Sequence, residues 1–148
     1  MTDETKIQDK ELFQISDSIM NEGELESFLH DLEAEQVFWN SGVVKVAKFI
    51  GFFNTEGNRY AEPELREVCD NVCLALIELA DFLVCQSQSM DTLEFTADDT
   101  KFGLSMCVDA DAQQSGIEVS EERLHSLAKS SREAYSAYRA AVKEVLSL

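Results

Sequence analysis

The sequence predicts a mainly α protein, with four to five helices packed around a central helix over about 63–86 and one β-hairpin over about 92–108. Three observations predict it. Apolar residues recur at helical spacing through most of the chain. The run that begins at Pro63 is apolar around two thirds of a helical wheel. The period falls to two only beyond residue 90. A chain of 148 residues with one proline and six glycines suits a single domain, 1–148, with a substantial core.

Residues 7–20 read as a helix of modest amphipathicity, broken by Asn21-Glu22-Gly23. Residues 24–33 place Leu25, Phe28, Leu29 and Leu32 on one helical face. Over about 35–53, Asn40, Ser41, Lys45 and Lys48 share one sector of the wheel. Phe38, Trp39, Val43, Val46, Phe49, Ile50 and Phe53 take the opposite side, which predicts a third helix. Gly42 and Gly51 each weaken it by ~1 kcal/mol relative to alanine. Residues 54–60 have the composition of a loop.

Pro63 suits a first helical position, where its missing N–H costs nothing. In the helix that follows, Glu64, Glu67, Asp70, Asn71, Glu78 and Asp81 share the polar third of the circle. Leu65, Val68, Cys69, Val72, Cys73, Leu76, Leu79, Leu83 and Val84 belong to the rest, so neighbours must cover most of this helix. Leu93 and Phe95, then Phe102, Leu104, Met106 and Val108, alternate about a turn at Asp98-Asp99. Residues 109–122 read as a loop. Ser120 is the expected N-cap of a last helix, with Glu121 and Glu122 in its first turn, running to about 146.

Charge is the unusual property. Twenty-nine acids against twelve bases give a net charge of −17, a field that repels nucleic acid and anionic membranes and attracts basic surfaces. Only the segment 123–148 is cationic, with five bases and two acids, and it is expected to lie against acidic parts of its own fold. The N-terminus is acidic and carries no apolar signal core, and no run approaches the ~20 apolar residues of a membrane span. Cys69, Cys73, Cys85 and Cys107 form no C-x-x-C pair, and only His30 and His125 accompany them. The expectation is small core residues in a reducing cytoplasm, without zinc.

The carboxylates Glu64 and Glu67, followed by Glu78 and Asp81, form an E-x-x-E … E-x-x-D pattern over eighteen residues. This resembles the carboxylate set of the MazG-like all-α nucleotide pyrophosphatases. The resemblance implies a magnesium-dependent hydrolase of nucleoside triphosphates with these four residues as ligands. In that family the two pairs sit on facing helices. On one continuous helix they stand ~17 Å apart, too far to share one magnesium at ~2.1 Å within a subunit. Glu122 and His125 have di-iron spacing without the second Glu-x-x-His that such a site needs. Asp109, Asp111 and Gln113 resemble the start of an EF-hand loop, but Gln114 and Ser120 stand where glycine and a bidentate glutamate are required. Neither histidine has a nucleophile motif, and there is no glycine-rich phosphate loop. No metal or cofactor is therefore expected.

The acidity itself remains. Solubility asks for a net charge of ~2–8 in a small domain, and the surplus costs stability by self-repulsion. A domain of this length is ~38 Å across. Duplex DNA of that length carries roughly 22 charges, comparable with this protein's −17. The sequence thus points to a non-enzymatic cytoplasmic binding protein that occupies the basic surface of a partner, above all a nucleic-acid-binding protein. A phage-type inhibitor of a bacterial nuclease or defence complex (an anti-CRISPR, for example), a DNA mimic, an immunity protein and an antitoxin all fit. The expected contact residues are Asp98, Asp99, Asp109, Asp111, Glu118, Glu121 and Glu122. Direct contact with nucleic acid or membrane is not expected, and a homodimer is compatible. A type III secretion-type chaperone is the alternative binding protein, and it would need a five-stranded sheet.

Overall fold

The computed structural model describes residues 2–85, 90–95, 98–104 and 113–148, with 85, 90–95 and 113–120 described by backbone alone. Among them are five helices and a small antiparallel sheet, so the chain is mainly α with a β-hairpin. The first helix, α1 (Asp3–Ile19), starts where the Thr2 hydroxyl accepts from the Thr5 N–H at 3.2 Å, with Asp3 and Glu4 in its first turn. The second, α2 (Glu22–Glu35), opens on a capping box. Asn21 Oδ1 accepts from Glu24 N at 2.8 Å, and Glu24 Oε1 accepts from Asn21 N at 3.0 Å.

The stretch predicted as one helix over 35–53 is two elements. Gln36 adopts the left-handed conformation at φ 56° and stops α2. The chain then extends as β1 (Val37–Trp39) before α3 (Asn40–Phe53) begins. Pairing with the hairpin holds the extended piece. Leu104 N donates to Gln36 O at 2.8 Å, Phe38 lies opposite Phe102, and their ring centroids are 5.5 Å apart.

Pro63 heads α4 (Pro63–Cys85), as its sequence predicts. The hairpin is β2 (Met90–Phe95) and β3 (Thr100–Leu104), and the sheet order is β1-β3-β2. Met106 and Val108 lie outside the described residues. The last helix, α5 (Gln113–Leu146), starts seven residues before the expected cap at Ser120. Ser120, Glu121 and Glu122 imitate a cap but are interior. Nothing between Gln113 and Val119 forbids a helix, and Gly116 alone is too weak a breaker.

The long helices α4 and α5 lie against each other. In addition, α3 packs on α4 and α1, and α5 also contacts α2 and α1. Leu65, Val72 and Leu76 of α4 meet Leu124, Leu127, Ala128 and Val142 of α5 in one core with Leu29, Leu32 and Phe49. The polar stripe of α4 faces outward, with Glu64, Glu67, Asp70, Glu78 and Asp81 exposed. Val84, assigned to the apolar face, is exposed, as is Leu74 within the polar stripe. No helix among the described residues is long and apolar enough to cross a membrane.

Polar groups inside this core are joined in a chain. Ser16 Oγ donates to Phe13 O at 2.8 Å, which leaves its lone pairs for Tyr138 OH at 3.1 Å. Tyr138 in turn receives Tyr60 OH at 2.6 Å. The relay ties α5 to α1 and to the segment before α4. Asp9, fully buried on α1, accepts from Ala61 N at 2.8 Å and Glu62 N at 3.1 Å, fixing the entry to α4. Burial pushes the phenols of Tyr60, Tyr135 and Tyr138 above the ordinary tyrosine range.

Two outcomes follow. Tyr138→Phe strands the Tyr60 hydroxyl in the core and lowers unfolding free energy by about 1–3 kcal/mol in urea titration. The chain has three tyrosines, all of them raised, so less tyrosinate absorbance develops near pH ~10 while it is folded than when it is unfolded. The unfolded phenols do release protons there. Stability is therefore retained below about pH 10 and lost as pH rises above it. A spectrophotometric titration alongside circular dichroism checks this.

Candidate functional site

The expected contact residues fall at two places. Asp98 is exposed in the hairpin turn, and Asp99 follows it. The Asp99 carboxylate accepts from Ser41 N at 3.0 Å, Ser41 Oγ at 2.6 Å and Thr100 N at 2.9 Å. It thus supplies the anion that the N-terminus of α3 lacks, since Trp39 at the cap position has no side-chain acceptor for it. These bonds, the Ser41 hydroxyl foremost, hold the Asp99 carboxyl below its ordinary range. Glu121 instead accepts from Gln36 Nε2 at 3.2 Å, at the opposite end of β1. The two places are separated by the length of that strand, about 10 Å. Glu122 is exposed beside Glu121, and Glu118 lies in α5. Asp109 and Asp111 lie outside the described residues.

The Asp99 end borders an open cleft of about 370 Å³. Its walls follow from helical spacing. Glu24, Ser27, Phe28 and Asp31 lie on one face of α2 at i, i+3, i+4 and i+7. Trp39, Ser41, Gly42 and Lys45 form the other side, at the start of α3. The helices approach closely because residue 42 is glycine. A β-carbon there would stand 2.6 Å from Phe28 Cδ2, and that ring is buried against Phe38. Lys45 Nζ bonds Glu24 Oε2 across the opening, and this contact holds the Glu24 carboxyl below its ordinary range. Lys101, outside the cleft lining, places its ammonium 5.9 Å from the Trp39 ring centroid.

Glu64, Glu67, Glu78 and Asp81 are spread along one outward stripe, as a single helix requires. Among the described residues no three histidine, cysteine or carboxylate side chains lie close enough to hold one metal ion. His125 Nδ1 instead lies 3.2 Å from Glu33 Oε2. Sequence reasoning missed the cleft because it placed Trp39 inside a helix. The available signal was Gly42, a residue without a side chain amid bulky apolar neighbours.

No protein-family model, curated protein or solved structure matches this chain.

Gly42→Ala forces Phe28 aside and costs about 1–3 kcal/mol, read by denaturant titration. The frame of the cleft also depends on pH. Glu24 and Asp99 ionise below the ordinary range when folded, so the folded chain binds fewer protons than the unfolded one in acid. Their contribution is present above pH ~4 and is lost as pH falls below it. Trp39 is the only tryptophan, so its emission during acid titration reports the change.

Proposed function

We propose that this protein is a non-enzymatic acidic binding protein that occupies a basic surface of a partner, a nucleic-acid-binding protein above all. The observation that supports it is where the positive charge goes. Arg132 pairs with Glu26 at 2.9 Å and Glu33 at 2.6 Å, and Arg139 with Asp17 at 2.6 Å and Glu22 at 3.4 Å. Lys45 and Arg59 are likewise paired, with Glu24 and Asp70. These four of the chain's twelve cations are thus drawn into ion pairs within the chain. Exposed carboxylates remain at the hairpin turn, on α5 and along α4.

Such an arrangement steers basic partners and disfavours anionic ones. Asp98, Asp99, Glu121 and Glu122, with Asp109, Asp111 and Glu118 assigned from the sequence, form the proposed contact surface. An inhibitor of a nuclease or defence complex, a DNA mimic, an immunity protein and an antitoxin all use this chemistry. The carboxylates need no chemical step; Asp98 and Glu122 are exposed, while Asp99 and Glu121 are half-exposed and also serve contacts within the fold.

Pull-down from host lysate at about 50 mM and about 500 mM NaCl tests the reading. The expected capture is a basic protein that is released at the higher salt. Converting Asp98, Glu121 and Glu122 to their amides lowers the yield, with circular dichroism confirming the fold. Capture that ignores both salt and the amide substitutions contradicts the proposal.

A further inference from the structure

The cleft between α2 and α3 combines the aromatic side chains of Trp39 and Phe28 with the Asp31 carboxylate, which no described residue engages. Its charges are Glu24, Lys45 and Asp31. Glu24 and Lys45 neutralise each other. The positive ends of both helices are already answered, α2 by the Asn21–Glu24 capping box and α3 by Asp99. Among the described residues no hydrogen bond or ion pair engages the half-buried Asp31 carboxylate. The cleft is left with one net negative charge beside Trp39, Phe28 and the Ser27 hydroxyl.

We infer that this cleft is a socket for an arginine side chain of the partner. The inference rests on the acidic-binding reading above and assigns it a specific anchor. A guanidinium is flat, weakly hydrated and always charged, so it stacks on an indole while its fork donates to a carboxylate. Trp39 supplies the stacking surface and Asp31 the acceptor. Lys101 near the same ring shows that it already stands beside a cation. A lysine ammonium is a compact, strongly hydrated point charge and gains less from such a wall. The cleft, about 370 Å³ and open to solvent, has room for an arginine side chain to enter.

Hexa-arginine, hexa-lysine and hexa-citrulline peptides titrated against the full chain test the inference, by Trp39 emission and calorimetry. Hexa-arginine is expected to shift the emission saturably and to bind more tightly than hexa-lysine, with no shift from the neutral hexa-citrulline. Asp31→Asn is expected to weaken hexa-arginine about tenfold, the scale of one charge-assisted hydrogen bond. Glu144→Gln, an exposed charge outside the cleft, is expected to change it less than about twofold. Equal losses in the two variants, equal affinity for arginine and lysine, or calorimetric binding with unchanged emission would each overturn the socket. The acidic-binding reading survives those results. Absence of salt-sensitive binding by either cationic peptide removes both.

Discussion

Arg132 and Arg139 stand two turns apart on α5, and each holds two carboxylates of the α1–α2 pair. The contact joins α5 to the α1–α2 pair and neutralises two of the chain's twelve cations. The Arg139 guanidinium lies 5.2 Å from the Phe13 ring centroid and 5.8 Å from that of Tyr135, so the ion pairs continue into aromatic packing. Beneath them, Tyr60, Tyr138 and Ser16 share their hydroxyls. Without α5 in this position, the acidic surfaces of α1 and α2 would have little opposing charge.

That placement decides what the remainder of the surface looks like. Most of the chain's negative charge lies in the first 36 residues and in residues 91–122, and α5 offsets the former. The hairpin turn and the α4 stripe receive less. A surface of one sign repels itself, and the fold bears that cost. The same carboxylates are available to a cationic partner, and the cleft at Trp39 adds shape to what would otherwise be field alone.

The legible parts of the sequence were those with a strong local signal. Pro63 and the apolar run behind it define α4, and the change of period exposes the hairpin. The cationic segment 123–148 was legible as a partner for acidic segments because complementary charges must meet somewhere in a small fold. Two boundaries were hidden. Gln36 takes a left-handed conformation with no glycine to announce it, and Phe38 and Trp39 fit a helical wheel as well as a strand. Ser120-Glu121-Glu122 satisfies the grammar of an N-cap inside a helix that had already begun. Asp98 and Asp99 were legible as an acidic turn, but not the role of Asp99 in capping α3, which depends on a partner 58 residues away. The cleft likewise depends on residues distant in sequence, Gly42 of α3 against Phe28 of α2.

The acidity is a net surplus that the chain's own ion pairs leave uncompensated. Thermal unfolding followed by circular dichroism from about 10 mM to about 500 mM NaCl tests it most directly, because salt screens repulsion and attraction alike. If the surplus dominates, screening relieves self-repulsion and the Tm rises with salt. A Tm that falls as salt is added would mean instead that the internal ion pairs outweigh the repulsion and that no uncompensated surplus governs the fold.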